Sequence, residues 1–154
     1  MKLTRNKRGL GLIELTVVLV LGSLAIFASS SILIESYKEW KRSNEIASLQ
    51  VDFDLASHVL KSVIEEASNV EILSENHIRA VGQNQSWIHE FYPDPSNPSV
   101  LLWKNVSRNS VEKVITTLQD VSFDIEDDRV VVNIEVGKGT RLIAGSFSVY
   151  MRNS

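Results

Sequence analysis

Leu10–Ile34, LGLIELTVVLVLGSLAIFASSSILI, decides how this chain is built. The run is 25 residues long, and at 1.5 Å per residue a helix of that length covers a hydrocarbon core of about 30 Å with some tilt. Lys2, Arg5, Lys7 and Arg8 precede it, and no basic residue follows until Lys38. That asymmetry predicts a single pass with the N-terminus in the cytoplasm and the remainder outside. One acid, Glu14, interrupts the run near its start. A carboxylate inside an apolar span costs at least ~2.5–3.5 kcal/mol to insert, so it calls for a partner, or for a position shallow enough to reach the interface.

Outward from the span, no Gly or Pro occurs between Gly22 and Gly82. The pattern simply becomes amphipathic: Ile46, Leu49, Phe53, Ala56, Leu60, Val63 and Ala67 recur at spacings of three and four, predicting that the same helix continues to about Ala67 and lays one face on a partner. Between membrane and seam, Glu35, Lys38, Glu39, Lys41, Arg42 and Glu45 read as a solvated face, with ion pairs to neighbouring helices as the other use of such charges.

Beyond Ala67 the period changes to alternation and short runs rich in β-branched and aromatic residues. Strands are expected at Val70–Leu73, Ile78–Val81, Trp87–Tyr92, Val100–Trp103, Val121–Ile125, Val130–Val136 and Ile143–Met151, with Val111–Leu118 open between strand and helix. Gly82-Gln83-Asn84, Pro93–Pro98, Glu126-Asp127-Asp128 and Gly137-Lys138-Gly139 supply the turns. The fold class that follows is α+β: a long N-terminal transmembrane-plus-amphipathic helix packed on a small antiparallel β head. Its divisions are 1–9, 10–34, 35–67 and 68–154, with Trp87, Trp103, Phe123 and Phe147 as expected core anchors.

The motif Gly9-Leu10-Gly11-Leu12-Ile13-Glu14-Leu15 resembles the prepilin leader of type IV pilins and pseudopilins, a basic leader ending in Gly followed by an apolar segment with an acid at the fifth mature position. The resemblance implies cleavage between Gly9 and Leu10 by a prepilin peptidase, N-methylation of Leu10, and a role for Glu14 in assembly, paired with the Leu10 amine of a neighbouring subunit. Leu10 and Gly11 replace the commoner Phe and Thr. Leu102-Trp103, Arg108, Val121-Ser122-Phe123, Val130–Ile134 and Phe147–Asn153 are weakly similar to the J-type minor pseudopilins of type II secretion and their pilus and competence relatives. The absence of a Pro from the second half of the apolar segment tilts towards a minor subunit. Implied partners are the prepilin peptidase, other pilin or pseudopilin subunits, an inner-membrane assembly platform and the lipid bilayer, and the implied location is the bacterial cytoplasmic membrane, then a pilus or pseudopilus. A competence pilus subunit or an adhesive, ligand-binding head is the alternative. A secretory signal peptide competes, since Ala28-Ser29-Ser30 offers small residues for cleavage, but such a cut would leave Glu14 without purpose.

Charge and composition narrow the rest. The chain carries −3, and loss of the four leading basic residues would leave 12 basic against 19 acidic side chains, about −7. Such a balance does not attract a phosphate backbone, so no direct nucleic acid partner is expected. With no cysteine, the head has no disulfide staples. His58, His77 and His89 lack the spacing of a metal site or triad, and neither a phosphate loop nor a catalytic cluster is recognisable, so neither enzyme activity nor a cofactor is expected. Asp124, Glu126, Asp127 and Asp128 could ligate Ca²⁺, although a solvated hairpin turn is the simpler reading of them. Pro93–Pro98 reads as a rigid surface loop, and the sequons at Asn84 and Asn105 carry no weight in a bacterial host.

Overall fold

A computed structural model describes residues 7–151, with side chains from Gly11 onward. Residues 1–6 of the expected leader therefore lie outside the described residues, as do the side chains at the expected Gly9/Leu10 cleavage and methylation site.

One helix, α1, runs from Lys7 to Glu66. From Gly11 to Asn44 every described residue is exposed in the isolated chain, Leu12, Ile13, Phe27 and Leu33 among them at 64–74%. Four hydroxyls in this stretch are satisfied within the helix: Thr16 and Ser23 donate to the carbonyls of Ile13 and Val20 at 2.8 Å, and Ser30 and Ser31 to those of Ile26 and Phe27 at 2.8 and 3.0 Å. Back-bonding of this kind lets a hydroxyl sit in lipid without an unmet donor. By length and composition this is a helix able to cross a membrane.

The second unit, Glu45–Ser154, combines the rest of α1 with eight strands. Strands β1 (Asn69–Ser74), β2 (His77–Val81), β3 (Ile88–Asp94), β4 (Asn97–Asn105) and β5 (Ser110–Ile115) form an antiparallel five-stranded meander. Strands β6 (Leu118–Glu126), β7 (Arg129–Lys138) and β8 (Arg141–Tyr150) form a three-stranded one. The expected α+β class is observed, with the head divided between two sheets.

Leu49, Ala56, Leu60, Ile64 and Ala67 of α1 are buried against Val70, Ile78, Ala80, Phe91, Leu101 and Ile115 of the first sheet and Leu118, Val121, Val132, Ile134 and Val149 of the second. Burial of this apolar area is the main stabilising term. The seam begins at Leu49 rather than Ile46, which stays 43% exposed, and it includes Ile64, which the three-four spacing passed over. Of the expected anchors only Phe123 is buried, at 4% exposure; Trp87, Trp103 and Phe147 are half-buried at the core's margin, and Phe91 is the large side chain enclosed in the centre.

Polar ties hold α1 to the second sheet's edge of the core. Asp52 accepts a hydrogen bond from Thr117 at 2.7 Å, and Glu45 forms an ion pair with Arg141. At Gly145 a Cβ would stand 2.6 Å from the Phe53 ring, so the helix approaches β8 through a position that must lack a side chain. The helix ends as the Ser68 amide donates to the Val81 carbonyl at 2.8 Å, turning the chain directly into β1.

The ambiguous stretch Val111–Leu118 resolves as a strand, a two-residue break at Thr116-Thr117, and the start of the next strand. Pro93–Pro98 is not a separate loop: β3 runs through Asp94 and β4 begins at Asn97, leaving Pro95-Ser96 at the tip. The Ser96 amide donates to Asp94 Oδ1 at 2.8 Å, so the side chain closes the turn. Trp87 lies just before β3 rather than within it.

Candidate functional site

Glu14 sits on the exposed apolar part of α1, between Ile13 and Leu15 at 64% and 60% exposure. Nothing among the described residues pairs with it. Beyond Ile34 the exposed Tyr37 and Trp40 stack with ring centroids 6.0 Å apart. Nearby, Glu39 and Arg42 approach at 4.0 Å with both side chains over 60% exposed, a contact worth little in water.

The outward face of the five-stranded sheet carries a row of charges that alternates in sign. Register places Glu71 opposite Arg79, Arg79 opposite Glu90, and Glu90 opposite Lys104. Glu90 is buried, 6% exposed. Arg79 donates to its Oε1 through Nε at 2.9 Å and Nη2 at 2.7 Å, while Lys104 Nζ stands 3.7 Å and His77 Nε2 3.9 Å from Oε2. Burial raises the Glu90 pKa, but the Arg79 hydrogen bonds and charge, with Lys104 and His77, outweigh it and hold the carboxyl below its ordinary value. His77 packs on Tyr92 with centroids 4.9 Å apart; burial, with Arg79 and Lys104, lowers its pKa against the pull of Glu90.

The inward face of the same sheet ends in a cleft of about 460 Å³ beside the last turns of α1. Ser62, Val63 and Glu66 form one wall, and Trp87, His89 and Trp103 form the other. Asn105, Ser107 and Arg108, around the turn from β4 to β5, close one end. The rings make a continuous ladder inward: Trp87 to His89 at 4.8 Å, His89 to Trp103 at 5.2 Å, and Trp103 stacked on the core residue Phe91 at 6.1 Å. Trp103 Nε1 donates to His89 Nδ1 at 2.9 Å. With Nδ1 occupied as an acceptor, the neutral imidazole carries its proton on Nε2. Burial and the charge of Arg108 lower the His89 pKa, with Glu66 opposing, which favours the neutral ring.

Compared with known protein families, curated proteins and solved structures, the chain matches none.

Local backbone fixes both ends of this cleft. A Cβ on Gly82 would stand 2.5 Å from the Trp87 indole, so the indole lies directly on that glycine, and the Gly82 amide donates to the Trp87 carbonyl at 2.9 Å. Asn84 and Gln85, in the intervening turn, have φ of 53° and 58°; Asn109, next to Arg108, has 51°. Left-handed backbone at non-glycine residues is costly and persists where surrounding contacts impose it. The Arg108 amide is held by Asn105 Oδ1 at 3.0 Å.

Of the histidines, His77 opens β2 and His89 lies within β3, while His58 is exposed on α1. Asp124, Glu126, Asp127 and Asp128 are exposed around the β6–β7 turn, and Glu126 pairs with Arg129 at 3.3 Å. Among the described residues no three or more His, Asp or Glu side chains are grouped to hold a metal ion. Gly137 and Lys138 end β7, and the turn is made by Gly139, at φ 66°, with Thr140.

Sequence reading singled out neither the Glu90 row nor the cleft. Alternation along β3 does place His89 with Phe91 and Glu90 with Tyr92, but the partners Arg79, Lys104 and Trp103 depend on strand register, which a single sequence does not state.

Proposed function

We infer that this chain is a membrane-anchored structural subunit of a type IV pilus or type II secretion pseudopilus, of the minor pilin or pseudopilin kind. The observation that carries the reading is the part of α1 from Gly11 to Ile34: an unbroken, predominantly apolar helix with a single carboxylate at Glu14 near its start. Such a surface is stable in lipid before assembly and against sister helices afterwards. Among the described residues the carboxylate has no ion-pair partner, which supports a pairing with the amine of a neighbouring subunit's Leu10. Satisfaction of Thr16, Ser23, Ser30 and Ser31 within the helix supports residence in the membrane. Tyr37 and Trp40 follow the apolar run where amphipathic aromatics settle at a bilayer surface. Orientation N-terminus inward, processing between Gly9 and Leu10, and methylation of Leu10 belong to the same reading.

The test is the mass of the N-terminal peptide of the protein from bacterial membranes with and without a prepilin peptidase. A peptide beginning at methylated Leu10 only when the peptidase is present is expected. An intact leader, or a start near Ser31, would refute the assignment.

A further inference from the structure

We propose that the cleft between the end of α1 and the five-stranded sheet is a saccharide-binding site, taking the face of a neutral pyranose unit against Trp87, His89 and Trp103. The proposal goes beyond the filament reading and does not depend on it, because every group involved lies within the head unit.

Three features of the cleft select the ligand. The first is shape and surface. About 460 Å³ lies within the range of small-molecule sites. One wall is formed by aromatic rings, whose apolar surface can pack against the apolar face of a sugar ring. The second is hydrogen-bonding capacity. His89 offers Nε2–H, because Nδ1 is committed to Trp103, and Ser62, Ser86, Ser107 and Asn105 supply neutral donors and acceptors around the cleft.

Charge is the third. Glu66 and Arg108 stand on different walls, and among the described residues neither has an ion-pair partner. The two opposite charges leave the cleft without net charge, and a ligand rich in hydroxyls can accept from Arg108 and donate to Glu66. A nucleotide would meet Glu66 with one cation to hold it, and a quaternary amine would meet Arg108. An acyl chain would desolvate both charges without return. An extended peptide would need a strand edge, and β3 and β4 are interior to their sheet.

The site is also built in advance. Trp87 rests on Gly82, the left-handed residues Asn84 and Gln85 lie in the turn that delivers it, and Asn109 follows Arg108 at the other end. Pre-organisation of this kind lowers the ordering cost of a weak ligand.

The experiment uses the full chain in phosphatidylcholine nanodiscs, free of glycoside detergents, with ¹⁵N-labelled tryptophan. Maltotriose, cellotriose and chitotriose are titrated to about 10 mM, a range that reveals dissociation constants in the millimolar range. The indole N–H signals of Trp87 and Trp103 are expected to move with at least one trisaccharide, while that of Trp40 stays fixed as an internal control. Ser62→Leu, which fills the cleft from an exposed helical position, and Arg108→Ala, at an exposed turn, should each weaken binding at least about tenfold with unchanged thermal unfolding. Absence of any shift with all three sugars overturns the proposal, as does binding that persists undiminished in both variants. So would shifts caused by the tripeptide Gly-Phe-Gly or by the oligonucleotide dT6 in place of the sugars.

Discussion

Replacement of Glu90 tests the most specific electrostatic feature of the head. In Glu90→Ala the Arg79 guanidinium loses both short donations to Oε1, and Lys104 and His77 lose the carboxylate that stands 3.7 and 3.9 Å from them. Breaking a buried pair by deleting one partner costs ~3–5 kcal/mol when the remaining charge stays buried. Here it does not: the side chains of Arg79 and Lys104 are 37% and 33% exposed, and Arg79 keeps Glu71 at 3.6 Å. Rehydration and that second partner reduce the expected loss to about 2 kcal/mol for Glu90→Ala. Glu90→Gln keeps an acceptor for Arg79 and loses the charge, about 1 kcal/mol. For a domain of about 100 residues, 1 kcal/mol is about 4–6 °C in Tm, so Glu90→Ala should unfold roughly 8–12 °C lower. Unfolding of the full chain in nanodiscs, followed through the indole signals of Trp87 and Trp103, measures this directly. Glu71→Ala, which removes a half-exposed partner, should stay within about 0.5 kcal/mol of the parent. Equal losses for Glu71→Ala and Glu90→Ala, or none for the latter, would refute the argument that burial of Glu90 makes the row cooperative.

Gly145→Val should destabilise the head by about 1–3 kcal/mol, because its side chain enters the space of Phe53, and Phe53→Leu in the same chain should recover part of that loss; thermal unfolding of the single and double variants decides it. Acidification should destabilise the head in two stages. His77 and His89 have folded pKa values below their unfolded 6.5, so the stability they contribute is complete above pH 6.5 and is lost as pH falls through their folded values. Glu90, held below its ordinary 4.5, adds a second loss as pH falls below that value through its folded pKa. His89→Gln should flatten the upper stage and Glu90→Gln the lower one in a series of unfolding curves against pH. Within the proposed filament, Glu14→Ala should leave peptidase processing intact and reduce incorporation at least about tenfold, about 1.4 kcal/mol, by quantitative immunoblotting of sheared filaments; normal incorporation would remove the proposed amine pairing.

Hydrophobic period and punctuation were sufficient for the coarse architecture. The unbroken interval from Gly22 to Gly82 made one long helix legible, and its observed end at Glu66 is one residue short of the expected one. Each expected strand is present, because alternating β-branched residues and turn residues act locally. The anchors were harder to read. Trp87 and Trp103 are large and apolar, which is enough to expect them inside, yet they flank the place where the helix–sheet layer opens, and the smaller Leu49, Leu60 and Ile64 fill the interior beside Phe91. Pro93–Pro98 reads as a surface loop from its three prolines, yet it fits the ends of β3 and β4 because the hairpin tip needs few ladder bonds there.

By itself, the sequence determined the quantities that depend on neighbours along the chain: a helix long and apolar enough to cross a membrane, the position of Glu14 within it, and an α+β head of short strands. Tertiary structure alone decided the pairings. Glu71, Arg79, Glu90 and Lys104 are spread over four strands, and only antiparallel register sets them in one row. The cleft likewise gathers Ser62 and Glu66 from the helix, Trp87 from the turn before the third strand, His89 from that strand, and Trp103 and Arg108 from the fourth strand and the turn after it. Periodicity fixes which face a side chain takes, but the identity of the residue opposite it comes from the sum of all strand pairings and helix contacts, and that sum is settled only when the whole head packs.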